Sequence, residues 1–272
     1  MNIREMLGGE LPEFPVIDMH AHMDRCGQFM CPGDPGIEGM LRVMDRVGVD
    51  RIAIAPNMAI NCDITEGNRR VLKAAEKHPD RVIGLCTVNF NRFEESLRTL
   101  DECFATPYFK GIKLHPNFMD YFITDEKKMN TVLDYARENH AFLISHTDAR
   151  QYPGCLEPNS APKDFEPYGK SYPDVNFIIA HCGLTPEGYR DTERLAIKYR
   201  NVFLDTTGFR FSNFWTVERC AKTVGSDQLV FGTDMPFNDV GSGLCRVVLA
   251  DLPLETKLKM LGGNAMRLMG EA

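Results

Sequence analysis

His20 and His22, one residue apart in VIDMHAH, are the first place where this chain could do chemistry. On a strand, residues i and i+2 point the same way, so both imidazoles can face one ion. Two core histidines with hydrogen-bonded partners would give the same spacing, and the pair alone decides nothing. The other histidines narrow the choice. Of seven in the chain, five fall at the C-terminal ends of apolar runs: His20 and His22, His115 in KGIKLHP, His146 in AFLISH and His181 in NFIIAH. Asp234 in FGTDMP holds the same place after a later run, whereas His78 and His140 close helical segments, where a cation suits the helix dipole.

Random placement would scatter histidines over helices and loops. Three imidazoles and one carboxylate, from His20, His22, His146 and Asp234, suit a divalent ion, zinc first and manganese or iron as alternatives. An ion with an open position holds a water and lowers its pKa towards about 7, which supplies hydroxide near neutral pH.

The elements that must position these groups follow from hydrophobic periodicity. PVIDMHA, RIAIAP, RVIGLCTVN, KGIKLHP, AFLISH, NFIIAH, NVFLDTTG and QLVFGTD read as strands. Between them lie helical patterns: IEGMLRVMDRVGV carries Ile37, Met40, Leu41, Met44 and Val47 at helical spacing, and FEESLRTLDECF and the segment Thr124 to Asn139 follow. In LTPEGYRDTERLAIKY, Thr185 is the expected N-cap and Pro186 the first helical residue. Eight such strand–helix units in one chain of 272 residues imply a parallel α/β sheet, as a single-domain (β/α)8 TIM barrel over residues 1–272. An open doubly wound sheet is the alternative. In a barrel the active site lies at the C-terminal ends of the strands, and closure brings the eighth strand beside the first. The stretch from Thr147 to Asp174, rich in Pro and Gly, reads as a long lid or substrate loop.

The ordered set VIDMHAH, GIKLHP, ISH, IAHCG, LDTTG and FGTDMP, closed by LGGNAMRLMG, resembles the amidohydrolase superfamily over nearly the whole chain. More narrowly it is similar to the amidohydrolase-related branch, with its aminocarboxymuconate-semialdehyde decarboxylase and metal-dependent lactonases. The resemblance implies His20, His22, His146 and Asp234 as metal ligands, and Asp234 also as proton shuttle. It implies His181 as a second-sphere or catalytic histidine that orients the water or polarises the substrate carbonyl, with Asp18 in support. Lys113 departs from the one-metal pattern: it stands where binuclear relatives carry a carbamylated lysine. One ion is expected, and a second becomes possible if Lys113 is carbamylated, with His181 and His115 as further ligands or substrate contacts.

Several residues stay open. Arg150 and Arg210 follow strands five and seven, with Tyr152 nearby, and either arginine could bind a substrate carboxylate bidentately. Asp205, Thr206 and Thr207 could cap a helix or touch substrate, and Asn57 and Asn89 end strands two and three. Cys26 and Cys31 sit in a Gly/Pro-rich loop without an identifiable activating base.

Composition removes whole classes of function. A formal net charge of -7 disfavours nucleic acid or an anionic membrane as main partner. No apolar run is long enough to span a bilayer, the N-terminus lacks a signal-type apolar core, and a cytoplasmic location is the expectation. Nine cysteines without CxxC spacing suit reduced thiols. Neither a GxGxxG or Walker-type phosphate loop nor a GxSxG elbow is present. The expected partner is a small-molecule substrate, and a homodimer is possible. The leading expectation is a metal-dependent hydrolase of a lactone, ester or amide. The alternatives are a metal-dependent decarboxylase of an unsaturated or aromatic carboxylate, and a non-catalytic metal- or ligand-binding barrel.

Overall fold

The eight apolar runs form one parallel sheet with strand order β1 to β8, in a computed structural model that describes residues 14–25, 33–150, 159–209 and 214–271. The strands are β1 Ile17–Met23, β2 Arg51–Pro56, β3 Val82–Val88, β4 Phe109–Leu114, β5 Phe142–His146, β6 Phe177–Ala180, β7 Val202–Asp205 and β8 Leu229–Val230. The helices that cross between them are α1 Ile37–Val47, α2 Ile64–Lys77, α3 Phe93–Phe104, α4 Glu126–Glu138, α5 Glu166–Ser171, α6 Pro186–Lys198 and α7 Phe214–Val224. After β8 come α8 Val240–Val248, α9 Leu254–Leu258 and α10 Asn264–Leu268. The expected barrel is therefore the observed fold.

Two apolar layers result. Alternate strand residues such as Ile17, Ala53, Leu85, Phe142, Ile144, Ile178 and Phe203 fill the inside of the barrel. The opposite strand faces pack on the helices, where Met40 and Met44 of α1, Val71 of α2 and Leu100 of α3 are buried. Thr185 caps α6 as its position suggests, accepting a hydrogen bond from Gly188 N, with Pro186 at the first turn.

Two sequence expectations need correction. QLVFGTD forms only a two-residue strand, because Gly232 to Asp234 leave the ladder to make the turn that carries the site. The ring is still joined there: Met19 N donates to Phe231 O at 2.8 Å, Asp234 N to His20 O at 2.7 Å and His22 N to Met235 O at 2.6 Å. The supposed long loop after β5 is partly helical. A 3-10 turn at Pro162–Phe165 leads into α5, with Phe165 and Tyr168 buried, so its second half is part of the packed wall. Residues 151–158 lie outside the described residues.

β1 contains a feature that a period-two reading does not reveal. Its register against β2 shifts between Asp18 and Ala21, with one extra residue in β1. Ile17 and Met19 face the barrel interior with the inner core, yet Ala21 and Met23 belong to the outer layer. The bulge reverses the phase, so His20 and His22 also face inward, above Ile17 and Met19.

Candidate metal centre

Inward-facing residues at the ends of the strands build the centre. His20 and His22 come from β1, Lys113 from β4, His146 from β5 and Asp205 from β7. His115 follows β4, His181 follows β6 and Asp234 lies in the turn after β8. The rings pack closely: His20 lies 5.3 Å from His22 and 4.9 Å from His181, centroid to centroid, and His146 lies 4.7 Å from His181. Among the described residues, His20, His181 and Asp234 bring one ligand atom each within 4.8 Å of one another. His22 Nε2 is 3.4 Å from Asp234 Oδ1, and His20 Nε2 is 3.8 Å from the same oxygen.

The outward ring nitrogens are already committed. His22 Nδ1 bonds to the Ala55 carbonyl at 3.1 Å, which can only accept, so this nitrogen carries the hydrogen and Nε2 the lone pair. His20 Nδ1 lies 2.6 Å from Asp205 Oδ2. Burial above all, with the Lys113 charge next, holds His20 well below the ordinary imidazole range, so this contact is a hydrogen bond from a neutral ring. His20 Nε2 then accepts from Lys113 Nζ at 2.9 Å. Burial likewise lowers His22 and takes His146 down to about 3, with Lys113 adding repulsion at His146. Imidazoles kept neutral in this way are ready to donate lone pairs.

Asp234 is held in a left-handed backbone conformation at φ 64°, and its Oδ2 accepts from Asn238 Nδ2 at 3.2 Å, which leaves Oδ1 turned to the histidines. His181 is also left-handed, at φ 64°. Non-glycine residues take this conformation at a cost, and such strain is characteristic of functional positions. Asp18 fastens the strand to the turn. Its carboxylate accepts from His20 N at 3.1 Å, Thr233 N at 3.0 Å and Thr233 Oγ1 at 2.5 Å, while complete burial pushes its pKa up to about 7.

A cavity of about 200 Å³ opens over the cluster, lined by His22, His115, His146, His181 and Asp234 together with Phe118 and Phe237. His115 plays a part that its strand-end position does not announce. It caps the helical turn Pro116–Met119, its Nδ1 accepting from Phe118 N at 3.4 Å, and it stacks between Phe118 and His146 at 4.5 and 4.2 Å. Arg150 reaches the cavity wall, but its Nε and Nη2 edge grips the buried Asp148, at 2.9 and 2.7 Å. Asn57 lines the cavity, whereas Asn89 caps the turn that follows β3. Arg210, Tyr152, Cys26 and Cys31 lie outside the described residues. Cys62, Cys86, Cys103, Cys182, Cys220 and Cys245 are free thiols.

The sequence left Asp205 and Thr207 undecided between capping and substrate contact. The structure joins them to each other and to His20 and His181. Their place at a strand end was a signal, but the type of bond was not readable from it.

A parallel eight-stranded barrel with a histidine–carboxylate cluster at its C-terminal mouth defines the class of protein. The amidohydrolase family model matches residues 17–270, and the chain belongs to that family. No curated protein matches the chain. Solved structures of similar fold include 2,6-dihydroxybenzoate decarboxylase from Rhizobium, at 16% identity and TM-score 0.71, covering 94% of this chain and 99% of that one. A 5-carboxyvanillate decarboxylase from Novosphingobium aromaticivorans, complexed with manganese, aligns at 16% identity and TM-score 0.72, covering 95% and 96%. A probable 2-pyrone-4,6-dicarboxylic acid hydrolase from Acinetobacter baumannii aligns at 14% identity and TM-score 0.70, covering 94% and 99%.

Proposed function

We propose that this chain is a metal-dependent hydrolase that opens a carbonyl C–O or C–N bond of a small lactone, ester or amide. The observation that carries the reading is the convergence of neutral imidazoles, their hydrogens spent on Asp205 and Ala55, on the Asp234 carboxylate beneath an open cavity. This donor set fits a divalent ion, zinc first and manganese or iron next. His20, His22, His146 and Asp234 would hold it. When bound, such an ion supplies Lewis acidity, which polarises a carbonyl and eases deprotonation of water near neutral pH.

The chain's own groups do the rest. Asp234, with Oδ2 anchored by Asn238, would take a proton from water through Oδ1 and return it to the leaving oxygen or nitrogen. His181, whose ring lines the cavity, would orient that water; it would polarise a carbonyl only after gaining a proton. Phe118, Phe237 and Leu184 line the cavity with apolar surface that limits competing water.

Metal analysis of the purified chain tests the reading, together with turnover on a panel of lactones, esters, amides and aromatic carboxylates. The panel spans both chemistries because similar folds include decarboxylases and a probable pyrone hydrolase. One ion per chain with ring-opened or cleaved acid as product is expected. Full activity without metal sinks the proposal, and carbon dioxide release without hydrolysis replaces it with decarboxylation. His20→Ala is expected to lose metal and turnover together. Asp234→Asn is expected to lower kcat at least about 100-fold, in the range of an essential proton-transfer group, while some metal is retained.

A further inference from the structure

We infer that Asp205 and Thr207, at the end of β7, form one positioning unit that fixes the tautomers of His20 and His181 together, with the hydrogen of each ring on Nδ1 and its lone pair on Nε2. The assignment follows from counting hydrogens. Asp205 Oδ1 accepts from Thr207 Oγ1 at 2.7 Å and from His181 N at 2.9 Å, and Oδ2 accepts from His20 Nδ1 at 2.6 Å. A threonine hydroxyl has one hydrogen, and here it goes to the carboxylate. Thr207 Oγ1 can therefore only accept at its 3.0 Å contact with His181 Nδ1. That nitrogen must carry the ring hydrogen, and Nε2 the lone pair.

All four residues are buried, with Asp205 and Thr207 at 0% and 1% exposure, so no bulk water competes for these bonds. The wiring is unequal. His20 bonds to the carboxylate directly, which makes it a stronger lone-pair donor than His22 on its neutral carbonyl. His181 reaches the same carboxylate through the Thr207 hydroxyl and its own backbone N–H. Thr207 Oγ1 also lies 3.5 Å from His20 Nδ1, a longer contact than the 2.6 Å bond that ring makes to Asp205. Loss of Thr207 should therefore disturb His181 far more than His20, while loss of the Asp205 charge should disturb both rings.

The geometry stands by itself; only its catalytic consequence rests on the proposed hydrolase reading. The test is long-range 1H–15N NMR of histidine-labelled full-length chain, metal-free and zinc-loaded, for wild type, Thr207→Val, Thr207→Ser and Asp205→Asn. In wild type, both His20 and His181 should be Nδ1–H tautomers. Thr207→Val should shift His181 far more than His20, with zinc affinity unchanged and kcat reduced about 10- to 100-fold, and Thr207→Ser should restore both the shift and kcat. Asp205→Asn should weaken zinc affinity about 10- to 100-fold and alter both rings. A wild-type His181 with its hydrogen on Nε2, or a Thr207→Val spectrum with His181 unchanged, overturns the inference whether or not the variants fold well. If no lactone, ester or amide is turned over but the tautomers behave as stated, the hydrolase reading fails and the positioning unit stands.

Discussion

Lys113 carries the sharpest conflict of any single residue. A primary amine with 0% exposure sits 2.9 Å from a metal-ligand candidate, and burial brings its pKa down from 10.5 to about 8 against the pull of Asp234 and Asp205. Between those two values the unfolded chain binds more protons than the folded one. Stability of the metal-free protein should therefore rise from about pH 8 to 10.5 as Lys113 sheds its charge. The gain is on the order of 3 kcal/mol at most. Denaturant titrations at several pH values, wild type against Lys113→Met, measure it; parallel curves for the two proteins refute it. Gly232 makes a second argument at this scale. A Cβ there would lie 2.9 Å from His20 Cβ and 3.4 Å from Asp205 Oδ2. Gly232→Ala should push on the wired imidazole and weaken metal affinity, read by competition with a chromophoric chelator; unchanged affinity would show that the strand end gives way. The clustering of the histidines with Asp234 was legible, because residue type and strand-end position are both written in the sequence. The direction of each ring hydrogen was not, because it depends on partners up to 187 positions away, as between Thr207 and His20.

At the scale of elements, strong apolar periodicity made most strands and helices readable, and α3 occupies the expected Phe93–Phe104. What escaped were places where the backbone leaves its period. The bulge in β1 is set by pairing with β2 and by the bonds from the β8 turn, none of them local. The closing helix is interrupted by a π-turn at Lys259–Gly263, where the Met260 carbonyl accepts from Phe231 N at 2.9 Å, inside the shortest strand's junction. At that turn a Cβ on Gly262 would fall 1.9 Å from the Pro15 carbonyl oxygen, a backbone atom that cannot rotate aside. Gly262→Ala should cost about 1–3 kcal/mol, the usual range for overpacking. Thermal unfolding checks this, and an unchanged Tm would mean that the strand leading into β1 shifts freely.

Across the whole molecule the two ends of the barrel do different work. The C-terminal end carries the polar, strained cluster, whereas the other end is stoppered by α10, whose Ala265 and Leu268 join the inner core with Met266 and Met269 beside them. Glu271, just beyond, pairs bidentately with Arg51 at the start of β2. Such a partly exposed pair contributes roughly 1 kcal/mol or less, so the apolar stopper supplies most of the closure. No helix among the described residues is long and apolar enough to cross a membrane. Leu268 is 5% exposed, and Leu268→Ala should cost about 2–5 kcal/mol. For a chain of this size that is a fall of roughly 5–15 °C in Tm. Because the inner core separates Leu268 from His20, metal content and kcat/KM measured well below the transition should stay at wild-type values. Calorimetry beside metal analysis on the same samples decides it: a variant that loses metal in proportion to its stability would show that the stopper and the centre are one cooperative unit.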